Sequence, residues 1–154
     1  MSRIEQNYQL IKDYCVSEGW HHVEERDDHH LVTLGMNLKS MLKNCRLFIE
    51  ARDRDVVVYA VVNMKVDEND EKAMSDTCEY ITRANYGLVI GNFELDHRDG
   101  EVRYKASMPL VGENDLIDRE CLDRLVTVSI VMLDRYGKGL GRCMLGLGDP
   151  EHDV

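Results

Sequence analysis

The chain has 154 residues, with 29 Asp and Glu against 19 Lys and Arg, and a formal net charge of -10. This length suits one folded core, so we predict a single domain over residues 1–154, with a Gly-rich tail over 137–154. Apolar residues make up 44% of the chain, which is too many for a disordered protein. The acidic field repels phosphates, so we expect neither nucleic acid nor a membrane as a partner.

The five cysteines indicate a reducing compartment, and we expect a cytoplasmic protein. Their number is odd and no two of them form a CxxC pair, so we predict reduced thiols packed as small hydrophobic side chains. The N-terminus lacks the apolar region of a secretory signal. The longest apolar stretch, residues 125–133, is too short to cross a membrane.

The first element is a predicted helix over residues 2–18. Apolar side chains recur on one face, Ser2 and Glu5 have the spacing of a capping box, and Gly19 supplies a left-handed end. A hairpin is predicted next over residues 21–36, turning at 25–27.

Two further strands and a second helix follow. A loop is predicted over residues 37–44 and a strand over 45–51, with Leu47 and Ile49 on one face and Phe48 on the other. The apolar run 56–62 indicates a strand that is central in the sheet or covered on both faces. The second helix is predicted over 67–84, beginning with acidic residues that suit the helix dipole.

The second half contains the clearest hairpin and the last long element. Alternating residues predict a hairpin over 88–107, with Asp99-Gly100 at its turn. Residues 116–136 are β-branched enough to resemble a strand, but their length favours a helix, capped by Asn114 or Asp115. The order α-β-β-β-β-α-β-β-α predicts an α+β fold, with helices flanking an antiparallel sheet.

The stretch ITRANYGLVIGNFELDHRDGEVRYKASMPL, residues 81–110, resembles the YbjN family. In that family a helix ends at an Asn, and two strands with a Phe-x-Leu and a Val-x-aromatic core follow around a Gly turn. The closing helix and the segment 146–151 are also similar. The matching positions are Asn85, Phe93, Leu95, Gly100, Val102, Tyr104 and Leu110.

This resemblance implies a fold shared with type III secretion chaperones, which often form dimers and hold extended segments of partner proteins. YbjN relatives are described as sensory or regulatory proteins without an established activity. We therefore expect a bacterial regulatory protein that binds a protein or peptide, forms a homodimer and needs no cofactor.

Four histidines are candidate metal ligands. A turn centred on residues 25–26 would place His22 opposite His29, and His21 opposite His30, across the hairpin. Facing imidazoles bind zinc or nickel. Alternation gives each face only two of them, so a carboxylate would have to complete the site. The alternative is that these histidines lie on a solvent-exposed hairpin arm and bind no metal.

Two other motifs fail on spacing. The stretch 137–142, GKGLGR, lacks the GxxxxGK[ST] pattern of a phosphate loop, and we interpret it as a helix end and turn. The acidic stretch from Asp67 has Lys72 and Cys78 where a calcium loop needs Gly and Glu. We therefore assign no catalytic residue.

The last helix is apolar almost all round, which predicts burial on more than one side. We expect its partner or dimer surface at Val126, Val128, Ile130 and Val131. The alternative is that the tail covers these residues.

The sequence is compatible with two functions. The first is a non-enzymatic module that binds a polypeptide through its sheet edge or a helix groove. The alternative is a metal-dependent sensor or enzyme that uses His21, His22, His29 and His30.

Overall fold

The structure, a computed structural model, describes residues 1–112 and 115–154. Within these residues, three helices and six strands follow one another in the predicted order, and a 3-10 turn, Asp27–His29, interrupts the first hairpin. The elements are α1 Arg3–Ser17, β1 Glu24–Arg26, β2 Leu31–Asn37, β3 Asn44–Ala51, β4 Asp55–Val62, α2 Glu71–Asn85, β5 Asn92–Leu95, β6 Val102–Pro109 and α3 Arg119–Met144.

The six strands form one antiparallel sheet in the order β1-β2-β3-β4-β6-β5. The run predicted as a central strand is β4, which pairs with β3 on one side and β6 on the other. Its register places Tyr59 opposite Phe48 of β3 and opposite Lys105 of β6. The α+β class and the antiparallel sheet are confirmed.

All three helices pack on the same face of this sheet. Helix α1 contacts β2 and β3, α2 contacts β5, and α3 contacts β4 and β6 while touching both other helices. Strand residues alternate accordingly, because successive side chains point to opposite faces. In β3, Leu47 and Ile49 are buried under the helices, whereas Phe48 on the other face is half-buried, as predicted.

Side-chain caps fix where each helix begins. Ser2 and Glu5 form the predicted capping box, with the Glu5 N–H donating to Ser2 Oγ at 3.3 Å. Helix α2 begins at Glu71, later than predicted, because Asp70 accepts the Ala73 N–H at 2.9 Å. Asp118 caps α3 and accepts the Glu120 N–H at 2.7 Å. Carboxylates at these positions satisfy amides that have no partner within the helix.

The backbone corrects two sequence predictions, the cap of α3 and the start of the second hairpin. Asp115 has φ 47° and lies before α3, so it is not the cap, and Asn114 falls outside the described residues. The second hairpin has its predicted turn at Gly100, where φ is 75°. Its first strand begins only at Asn92, because Gly91 with φ 79° breaks the extended chain before it.

The Gly-rich tail is the largest correction. Helix α3 continues past Tyr136 to Met144, so Gly137, Gly139 and Gly141 lie inside the helix. Each glycine costs a helix about 1 kcal/mol relative to alanine. All three are buried, which indicates that tight packing offsets this cost.

Three separate parts of the chain pack closely against α3 at these glycines. A Cβ on Gly137 would collide with the Ser40 side chain, and a Cβ on Gly141 would lie 2.9 Å from Met41 Cγ. Ser40 and Met41 both belong to the β2–β3 loop. A Cβ on Gly139 would lie 2.6 Å from the ring of Tyr80 in α2 and would collide with the Asp153 carbonyl. The loop, α2 and the C-terminal segment therefore pack directly against α3.

No helix within residues 1–112 and 115–154 is long and apolar enough to cross a membrane.

Overpacking costs about 1–3 kcal/mol, and alanine regains about 1 kcal/mol of helix propensity. Because one clashing group is the backbone carbonyl of Asp153, we expect Gly139→Ala to lower the free energy of unfolding by about 1–2 kcal/mol. Chemical denaturation measures it. Gly35→Ala is the matched control, since a Cβ there meets nothing within 4 Å. It should stay within about 0.5 kcal/mol of wild type. Equal effects of the two substitutions would show that Gly139 is not tightly packed.

Candidate interaction surfaces

The predicted partner surface on α3 is divided by the packing. Val126 faces the core and is only 3% exposed, while Val128 and Ile130 are half-buried and pack against the core. Val131 is 49% exposed. The prediction of one surface is therefore wrong for Val126, because α3 lies between α1 and α2 and turns that side chain inward.

The predicted histidine arrangement is also wrong. The first hairpin pairs Glu24 with Thr33 and Arg26 with Leu31, so its turn lies later than expected. His21 and His22 precede β1, His29 lies in the 3-10 turn, and His30 adopts φ 49° just before β2. They are not cross-strand partners. Among the described residues, no group of three or more His, Cys, Asp and Glu side chains could hold a metal ion.

The sheet face away from the helices is a surface that sequence reasoning missed; we call it the open face. It carries a hollow of about 220 Å³. Phe48 and Tyr59 are directly opposite one another within it, and Arg103 lies over the Tyr59 ring at 4.2 Å from its centroid. The hollow is lined by Leu31, Phe48, Glu50, Tyr59, Val61, Glu101 and Arg103.

Ion pairs surround the hollow. Arg52 lies 2.9 Å from Glu50 and also donates to the Tyr59 hydroxyl at 3.2 Å. Glu94 holds both Arg103 at 2.8 Å and Lys105 at 3.4 Å. These pairs are half-exposed, so each adds little stability, but together they balance the local charge. The open face is close to neutral in a chain of net charge -10.

A side chain closes one edge of the sheet. Strand β5 is the last in the order, so its outer backbone groups face no other strand. Asn85, at the end of α2, donates from Nδ2 to the Phe93 carbonyl at 3.0 Å and accepts the Phe93 N–H at 2.7 Å. The amide thus takes the place of a neighbouring strand, and it explains why an Asn at this position accompanies the hairpin.

The opposite edge is short and charged. Strand β1 has only three residues, Glu24, Glu25 and Arg26, and all are exposed. Short, charged edges oppose the addition of another strand. Binding at a sheet edge is therefore disfavoured at both ends, and the open face is the remaining part of the sheet that a partner can reach.

Three of the five cysteines are buried in the core. Burial raises the pKa of the Cys45 thiol from 9.0 to about 12, with the Asp134 carboxylate adding to the shift. Burial also raises the pKa of Cys15 and Cys143 to about 11. These thiols stay protonated at neutral pH and are poor nucleophiles. The prediction of packed thiols is wrong for Cys78, which is exposed on α2.

The protein is thus an α+β protein whose antiparallel sheet has helices on one face and an open second face. The fold is similar to a crystal structure described as "YbjN, a putative transcription regulator from E. coli", with a TM-score of 0.58 at 12% sequence identity. The similarity covers 83% of this chain and 86% of that chain.

The sequence model of one family matches residues 7–142, and its description is YbjN, "Putative bacterial sensory transduction regulator". The chain belongs to the YbjN family. The resemblance seen in residues 81–110 is thereby confirmed. No curated protein matches the chain.

Asn85→Ala should lower the free energy of unfolding by about 2 kcal/mol, because it leaves two half-buried backbone groups of Phe93 without partners. Hydrogen exchange should show faster exchange of the Phe93 amide. Glu79→Ala, on the exposed side of the same helix, is the control and should leave that amide protected. Unchanged protection in Asn85→Ala would contradict the assigned edge closure.

Stability should fall as the pH rises from about 9 toward 12. The unfolded Cys45 thiol loses its proton near 9.0, whereas the folded one keeps it until about 12, so alkali favours unfolding. The contribution of this group is about 1 kcal/mol per pH unit within that window. Urea denaturation at several pH values should give a shallower slope for Cys45→Ala and an unchanged slope for Cys78→Ala. Identical slopes in all three proteins would contradict the shift.

Proposed function

We propose that this protein is a non-enzymatic regulatory binding module that holds an extended polypeptide segment of a partner protein on its open face. The observation that carries the proposal is the hollow around Phe48 and Tyr59 on a sheet that helices cover from one side only. The family description as a regulator supports a role in binding.

Apolar contact is the main attraction that the open face offers. Leu31, Phe48, Tyr59 and Val61 are half-buried, so an apolar side chain seated among them removes further surface from water. Burial of such surface contributes about 25 cal/mol per Å². The proposed segment therefore carries aliphatic or aromatic side chains at its centre.

The charges favour polypeptide over nucleic acid. Arg52, Arg103 and Lys105 are each already paired with a Glu, so a phosphate would have to displace a carboxylate. The acidic chain as a whole repels phosphates. A peptide needs no such exchange, because its apolar side chains use the hollow and its backbone bonds with the polar rim.

Selection from a display library of unstructured dodecapeptides tests this function. Peptides selected on the wild-type protein should be rich in aliphatic and aromatic residues and should bind Phe48→Thr about tenfold more weakly, as for a central binding residue. Thr, like Phe, favours the strand conformation. Isothermal titration calorimetry measures the affinities, and Glu79→Ala on the helical side is the control.

Two results would overturn the proposal. The first is selected peptides that bind Phe48→Thr and wild type equally. The second is a single-stranded oligonucleotide that binds the wild-type protein and loses affinity in Phe48→Thr, which would make the open face a stacking surface for bases.

A further inference from the structure

We propose that the segment bound on the open face reaches the edge of β2 at Gly35, where one of its residues exchanges backbone hydrogen bonds with Gly35. This inference rests on the proposed function, and it names the partner's backbone as the group that Gly35 recognises. Gly35 lies in the middle of β2 and is exposed.

The fold itself does not require a glycine at this position. The φ angle of Gly35 lies outside the left-handed region, and a Cβ there meets nothing within 4 Å. Strand β2 pairs with β3 in unbroken register from Leu31 to Asn37, so Gly35 is not part of a bulge. A glycine weakens the interior of a strand, and it often marks a place where a ligand or another backbone approaches closely.

The backbone groups of Gly35 point away from β3. At one end of the ladder, the Ala51 N–H donates to the His30 carbonyl at 3.0 Å. At the other end, the Leu38 N–H donates to the Lys43 carbonyl at 2.7 Å. In an antiparallel pair, residues that bond across the ladder alternate with residues whose groups point outward. Gly35 lies an odd number of residues from both His30 and Leu38, so its N–H and C=O are on the outer side of β2.

This outer side is uncovered at Gly35. Strand β1 pairs with β2 only as far as Thr33. A longer β1 would place His22 opposite Gly35, but His22 has φ 62° and turns the chain away from the edge. Within residues 1–112 and 115–154, no strand lies beside Gly35 and Asn37 on this side. This stretch is too short to add a further strand, but it is long enough to pair with one residue.

No side chain separates these groups from the open face. Arg46 is opposite Gly35 on β3, but it bonds with the Thr33 hydroxyl at 3.0 Å and lies 2.9 Å from Glu24. Both partners draw the guanidinium toward β1 and away from Gly35. Leu34 faces the core, so a side chain at position 35 would project from the open face. Glycine therefore leaves a path from the open face to the edge.

The path begins at the hollow. Gly35, Arg46 of β3 and Val61 of β4 lie side by side across the sheet, and Val61 lines the hollow. Neighbouring strands are about 4.8 Å apart, so Gly35 is about 10 Å from Val61, which an extended chain spans in about three residues. The proposed segment therefore has its central apolar residue about three positions from the residue that pairs with Gly35.

Calorimetry with the tightest dodecapeptide selected on the wild-type protein tests this pairing. Gly35→Val should weaken binding about tenfold, because it blocks the approach to two backbone hydrogen bonds. Val favours the strand conformation and has room here, so the free energy of unfolding should not fall. The matched control is Ser107→Val, which adds the same side chain at an exposed position of β6 outside the hollow. It should leave the affinity within about twofold of wild type.

Amide hydrogen exchange, measured by NMR on the wild-type protein, gives an independent readout. The Gly35 amide should exchange fast in the free protein, and the peptide should slow it at least tenfold. The Leu34 amide bonds with β3, so it should be protected with or without the peptide. This measurement needs no substitution, so it also decides the question if Gly35→Val folds poorly.

Two results would overturn this inference and leave the proposed function intact. The first is a Gly35→Val variant that binds the peptide as tightly as wild type while Phe48→Thr binds it more weakly. The second is a Gly35 amide whose exchange the peptide does not slow. Equal binding by Phe48→Thr and wild type would instead overturn the proposed function, and this inference with it.

Discussion

The close approach of three chain segments to one stretch of α3 is the constraint that organises the helical layer. Gly137 and Gly141 admit the β2–β3 loop, and Gly139 admits Tyr80 of α2 together with the C-terminal segment. Any larger side chain would hold these segments away from the helix. Hydrogen bonds then fix the position, since Asp134 accepts two amides of the loop and the Tyr80 hydroxyl donates to the Tyr136 carbonyl at 2.9 Å.

A helical layer seated in this way leaves the sheet with two unlike faces. Under the helices, Phe93 packs edge-to-face on Tyr104 and on Tyr136, which joins β5, β6 and α3 in one aromatic cluster. Asn85 closes the adjacent edge, and the charged β1 protects the other. The edges of the sheet therefore disfavour strand addition, and the open face is the part of the sheet that another molecule can reach.

The distribution of charge agrees with this division. The chain carries a net charge of -10, yet the open face balances its cations against glutamates. An acidic protein can approach another chain there with the least repulsion. The proposed surface for a partner suits a family described as regulators.

Local patterns in the sequence determined the order of elements, the capping box at Ser2, the turn at Gly100 and the family, because each depends on neighbouring residues alone. The tertiary structure decided the rest. The histidine pairing failed because a 3-10 turn shifted the register of the first hairpin. The sequence predicts that α3 ends at residue 136, because glycine breaks an isolated helix. In the folded protein, glycines fit within the helix because other segments pack closely against it. The open face could not be predicted, since which face of a strand stays uncovered depends on where distant helices pack.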